Sequence, residues 1–190
     1  HVAVDVDLVA HCGDRVRRVV LPVDVHAALE TAARLLHERS VNGSISNDAI
    51  GILKKKAIDH PNPLVRSEAL QCLGRLGRLD AELTKRVFRF GAEHDKRLVV
   101  KLTTNRNTIT GETNDDLVVL AQSKTSSAVR LQLASALPRL SRDAAWIVAI
   151  ALTQHSKDAD DRNLPYLLWH GLAPLISSDI DRAFALARTT

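Results

Sequence analysis

The sequence predicts an all-α protein in which helical pairs stack along a line, an α–α superhelix of about five pairs. Three observations lead there. Residues 59–77 read as one helix with a single apolar face. A second copy of that face lies at residues 126–140, with Val65 matched by Val129, 64 positions on. Fainter copies fall between and after them, and a period near thirty-odd residues marks an array of helical pairs.

Residues 1–23 stand apart. Val2, Val4, Val6 and Leu8 alternate as in a strand, yet Val2, Val6 and Val9 also fit one helical face. The stretch reads as a partial, irregular repeat, with a strand left over from a neighbouring β domain as the rival. A helical-repeat domain is expected over 24–190. It opens with a less regular pair, residues 24–39 and 46–58.

The best-defined helix follows. Pro61 and Pro63 suit a first helical turn, where a missing N–H costs nothing. Val65, Ala69, Leu70, Leu73 and Leu76 fall three or four apart, and Gly74 and Gly77 supply close packing and a stop. Its partner is capped by Asp80, with Leu83, Val87 and Phe90 on one face. The next unit begins near Asp95, with Leu98 in the place of Val65. Its partner is capped by Asn114 and runs to Gln122, while residues 110–113 read as a turn. The helix of Val129, Leu133, Ala136, Leu137 and Leu140 comes next, paired with a helix that Ser141 caps and that carries Trp146, Ile150 and Leu152. A last unit starts near Leu164, and its partner opens at Ser178 or Asp179 and carries Ala183, Phe184 and Leu186. The steps Val65 to Leu98, Leu98 to Val129 and Val129 to Leu164 are 33, 31 and 35 residues.

Composition fits thin layers of close-packed helices. Hydrophobic residues make up 45% of the 190, aromatics only 3%, which disfavours a large aromatic pocket. No apolar run is long enough to span a bilayer, and no secretory signal pattern is visible. The start at His1, the lack of Met and the end at Thr190 lead to the expectation of a segment from a longer protein. Cys12 and Cys72 have no metal or haem spacing. Cys72 lies among apolar residues and reads as a buried thiol, and a Cys12–Cys72 disulfide has no local support.

The net charge is +4, with basic residues dense from Arg75 to Arg106 (Arg78, Lys85, Arg86, Arg89, Lys96, Arg97, Lys101) and at residues 54–56. Such a stripe can hold phosphates or an acidic partner. No aromatics interleave with it to stack bases, so a solvated helix face is the simpler reading and nucleic acid is disfavoured.

No catalytic constellation emerges, and no catalytic, cofactor-binding or metal residue is assigned. Arg66 and Arg130 hold equivalent places after a valine. They suit a structural ladder, tying units through charge-assisted bonds to a loop carboxylate, Asp59 for Arg66, or to a carbonyl. Arg17 would be an upstream rung. His37-Glu38 and the reversed Glu93-His94 resemble metal-binding dyads, but ligands must converge on one ion, and surface pairs explain them. His155, His170, Asp158, Asp160 and Asp161 cluster near the last units. Asp158 to Asp161 lack the glycine and distal glutamate of a calcium loop and read as a helix cap.

The Pro-x-Pro-x-Val-Arg-x-x-Ala-Leu-x-x-Leu-Gly pattern from Pro61 to Gly74 resembles a HEAT repeat. Residues 158–175 and 181–187 resemble the helical-repeat region of large exported bacterial dehydrogenase-like proteins, in which a sugar-dehydrogenase-type β-propeller precedes the repeats and a c-type cytochrome domain follows. That resemblance implies an exported or periplasmic scaffold between redox domains, with those domains or a protein as its partner. The haem-attachment motif Cys-x-x-Cys-His is absent, so no haem ligand carries over. Two other functions compete: a freestanding adaptor using the basic stripe, and a helical-repeat iron hydroxylase or base-removing glycosylase.

Overall fold

The computed structural model describes residues 45–105 and 109–189, together with Thr31, Arg34, Leu35 and Glu38, which are helical. Residues 1–23, Cys12 and His37 lie outside that set, as do Arg17 and Arg106. Among the described residues every regular element is helical: α1 (Asn47–Asp59), α2 (Pro63–Arg75), α3 (Ala81–Phe90), α4 (Glu93–Thr104), α5 (Gly111–Gln122), α6 (Ser127–Ala136), α7 (Arg142–Thr153), α8 (Leu164–Ile176) and α9 (Ile180–Thr189). Short 3-10 turns follow α6 (Leu137–Arg139) and α7 (Ser156–Asp158). The all-α expectation holds over this span.

Local chemistry sets the boundaries. Ser46, Asn62, Asp80, Thr110, Ser126 and Ser141 each accept a backbone N–H from the first turn they precede. Each satisfies a donor that has no partner inside its helix. Asp161 Oδ1 accepts from Asn163 and Leu164 at the start of α8, and Asp179 Oδ1 accepts from Arg182 in α9. The end of α2 is a Schellman motif: Arg78 N–H reaches Leu73 O, Gly77 N–H reaches Gly74 O, and Gly77 sits at φ 68°. A side chain at Gly77 would strain that turn.

Several expectations need correction. Asn114 does not cap α5. Thr110 does, and residues 111–113 are the helix's first turn instead of a loop. The two threonines at 110 and 113 bond each other, a local pairing that no apolar pattern reveals. Phe90 does not share the buried face of α3. It is 75% exposed, while Thr84 and Phe88 join Leu83 and Val87 inside. Leu140 is not helical, because Pro138 tightens the chain into a 3-10 turn after Ala136. Pro61 precedes the cap of α2, and only Pro63 occupies its first turn. Ile150 is partly exposed on α7, unlike Trp146 and Leu152, which are fully buried.

Packing follows a next-but-one rule. Helix α2 packs on α4, α4 on α6 and α6 on α8, while α3 packs on α5 and α5 on α7. Sequential neighbours α1 and α2, α3 and α4, and α7 and α8 also touch. One continuous apolar core runs from Ile50 through Leu70, Leu73, Val99, Val100, Leu117, Leu133 and Val148 to Leu172. Glycines allow two close approaches along it. A Cβ at Gly74 would sit 3.0 Å from Leu102, and one at Gly171 would sit 2.5 Å from the Leu137 Cβ. The second leaves no room for any side chain.

Candidate interaction surfaces

Counting from each helix start brings equivalent residues together. Position three of α2, α4, α6 and α8 is Val65, Asp95, Val129 and Tyr166, and position four is Arg66, Lys96, Arg130 and Leu167. Asp95, not Leu98, therefore occupies the place of Val65 in the second unit. An aspartate at an otherwise apolar position hides this match from a hydrophobic pattern.

These positions build a polar ladder across successive junctions. Arg66 Nε donates to Asp95 Oδ2 at 2.8 Å, and its Nη1 donates to the His60 and Pro61 carbonyls. Lys96 holds Glu93 at 2.8 Å, and Glu93 accepts the Ser126 N–H at 2.6 Å. Arg130 engages both Asp158 oxygens and the Thr125 carbonyl. The predicted ladder is present, but its carboxylates are Asp95 and Asp158. Asp59 instead pairs loosely with Arg86, at 3.7 Å. The Arg130 guanidinium holds the Asp158 carboxyl below the usual carboxylate range, against the opposing effect of burial. Burial would raise Glu93, but Lys96 and the Ser126 N–H outweigh it and keep it low.

A second set of ties joins the odd-numbered helices. Lys54 pairs with Asp80, and Lys85 with Glu112. Asn114 accepts the Ser141 N–H and donates to the Thr110 carbonyl. Arg182 pairs with Asp143 at 2.7 Å. Four residues of the predicted basic stripe (Lys54, Lys85, Arg86 and Lys96) thus already have carboxylate partners. Arg89 lies over the Phe90 ring, 5.2 Å from its centroid.

The last two helices carry a different surface. Position three is buried in α2, α4 and α6, yet Tyr166 in α8 is 68% exposed. Position seven is Ala69, Val99 and Leu133, all buried, and then His170, which is exposed. Trp169 beside it is 61% exposed, as is Phe184 on α9, and Ile180 is 56% exposed. Ala183 and Leu186 pack against the core. Large apolar residues exposed on neighbouring helices are candidates for a contact surface.

The remaining candidates do not come together. Glu93 is engaged as above, so it and His94 are not a ligand pair, and Glu38 binds Arg34 at 2.8 Å. Asp158 is buried on Arg130, Asp161 caps α8, and His155 and His170 lie on different elements. Among the described residues no three His, Cys, Asp or Glu side chains converge as metal ligands. Cys72 is a buried free thiol, with its pKa pushed up by burial. Among the described residues no helix is long and apolar enough to cross a membrane. A shallow cleft of about 290 Å3 between α1, α2, α3 and the start of α4 is lined by Asp59, His60, Arg66, Arg86, Phe90 and Asp95, with its charges largely paired among themselves. Comparison with protein-family models, curated proteins and solved structures finds no match.

Proposed function

We propose that this chain is a non-catalytic helical-repeat scaffold, a HEAT-like α–α superhelix that holds neighbouring protein elements at a fixed spacing. Next-but-one packing and laddered junctions support the architecture, since in such arrays each unit buries its apolar face against the next. Its setting, on the resemblance of residues 158–175, is a larger exported redox protein whose catalytic and haem-bearing parts lie in other domains.

The observation that carries this reading is the surface of α8 and α9. The chain has only six aromatic residues, and Tyr166, Trp169 and Phe184 stand exposed there. Tyr166 sits at a position that three earlier helices bury. A neighbouring domain or a protein partner that covers this face would remove the apolar exposure. Tyr and Trp are the side chains most enriched at such contacts.

Hydroxyl-radical footprinting read by mass spectrometry tests this. Tyr166, Trp169 and Phe184 should be strongly oxidised in the 190-residue chain and protected in the protein made from its complete reading frame. Phe90 serves as the exposed reference in both. Equal oxidation of the three residues in both proteins would overturn the reading.

A further inference from the structure

A second surface, on α4 and α6, is distinct from the α8–α9 face. His94, Arg97 and Lys101 fall on one side of α4, where residues three and four apart are neighbours. With Leu98 and Gln132 of α6 they line a groove of about 240 Å3. Arg97 and Lys101 are exposed, and among the described residues neither meets a carboxylate. This separates them from Lys54, Lys85, Arg86 and Lys96, whose charges are already matched within the chain.

We propose that this groove docks an acidic segment of a protein partner. Two cations one helical turn apart match carboxylates at similar spacing, and Arg97 can hold one in a bidentate fork. Leu98 offers an apolar floor and Gln132 an amide that donates or accepts. Such a mixed lining suits a peptide with acidic and aliphatic residues. Nucleic acid fits less well: none of the lining residues is Phe, Tyr or Trp, and His94 alone offers a ring on which a base could stack. Two cations and a histidine also make few of the phosphate contacts that its binding depends on.

Fluorescence anisotropy with a labelled dodecapeptide of alternating Glu and Leu pairs tests the proposal. Binding should weaken about tenfold or more in Arg97→Glu/Lys101→Glu. It should persist in Lys55→Glu/Lys56→Glu, which removes the same charge from exposed positions of α1. The milder Arg97→Gln/Lys101→Gln should also weaken binding, and it covers the case in which the charge reversal unfolds the chain. Equal loss in the α1 variant would show an unlocalised charge effect. Retained binding by the peptide with Gln in place of Glu would remove the role of the carboxylates. Tighter, groove-dependent binding of single-stranded oligothymidylate would assign the surface to nucleic acid. Each of these three results overturns the proposal.

Discussion

The even-numbered helices and the odd-numbered helices are tied by the same device under different conditions. Lys54 and Lys85 reach acids at the starts of α3 and α5, Arg66 reaches Asp95 in the first turn of α4, and Arg130 reaches Asp158 in the 3-10 turn that precedes α8. Between α2, α4, α6 and α8 the ties are sheltered. Side-chain exposure is 17% and 3% for Arg66 and Asp95, and 12% and 7% for Arg130 and Asp158. Between the odd helices the ion pairs are more exposed, at 51% and 55% for Lys85 and Glu112, although Asn114, which ties α5 to α7, is buried. Exposed pairs contribute little because solvent screens them and long side chains lose freedom in forming them. Sheltered pairs matter chiefly through what happens when one partner is lost, because the other charge is then left buried. The even-series ion pairs are therefore expected to set the register of helix packing, and the exposed odd-series pairs to add little.

The sharpest break of this contrast is Asp158→Ala. It strands the Arg130 guanidinium and should cost about 3 kcal/mol, seen as a lower urea midpoint. Asp95→Ala should cost less, because Asp95 accepts only through Oδ2 while Oδ1 has no protein partner. Gly171→Ala presses a methyl into Leu137 at the junction of α6 and α8. It should lower stability by roughly 1–3 kcal/mol, whereas Gly51→Ala on α1 meets nothing within 4 Å and should not.

Acid sharpens the same comparison. Asp158, Asp80 and Glu93 all titrate below the usual carboxylate range in the folded chain. Their stabilisation is present above the unfolded carboxylate pKa of about 4 and is lost as pH falls through the lower folded values. Asp116 has the opposite sign, its pKa raised by burial, so it subtracts a little stability once ionised. Thermal scans from pH 7 downward should show a loss that is smaller in Asp158→Asn, where only the shares of Asp80 and Glu93 remain. The smallest effect belongs to Lys85→Ala, whose midpoint should match the parent chain.

Much of the even series was legible in the sequence. Pro63, Val65, Arg66 and Gly77, with their echo at Val129 and Arg130, disclosed helices, ladder and stop, because apolar spacing and turn chemistry are local. The acids were less legible. Asp95 and Asp158 lie 29 and 28 residues beyond their arginines, and sequence reasoning chose the nearer Asp59. The start of α5 was misplaced because Thr110 and Asn114 are both good caps. Only packing shows that Asn114 is turned to the next junction. The end face was illegible for a related reason. The sequence marked a last unit near Leu164, but its apolar spacing does not separate exposed Tyr166 and Trp169 from buried Leu164 and Leu172.

The most direct test of the register claim is a pair of double-mutant cycles, Arg130/Asp158 against Lys85/Glu112, read by urea denaturation. A clear coupling in the first and none resolvable in the second is the predicted result. Equal coupling in both, or none at Arg130–Asp158, would contradict the claim that sheltered ties set the stack.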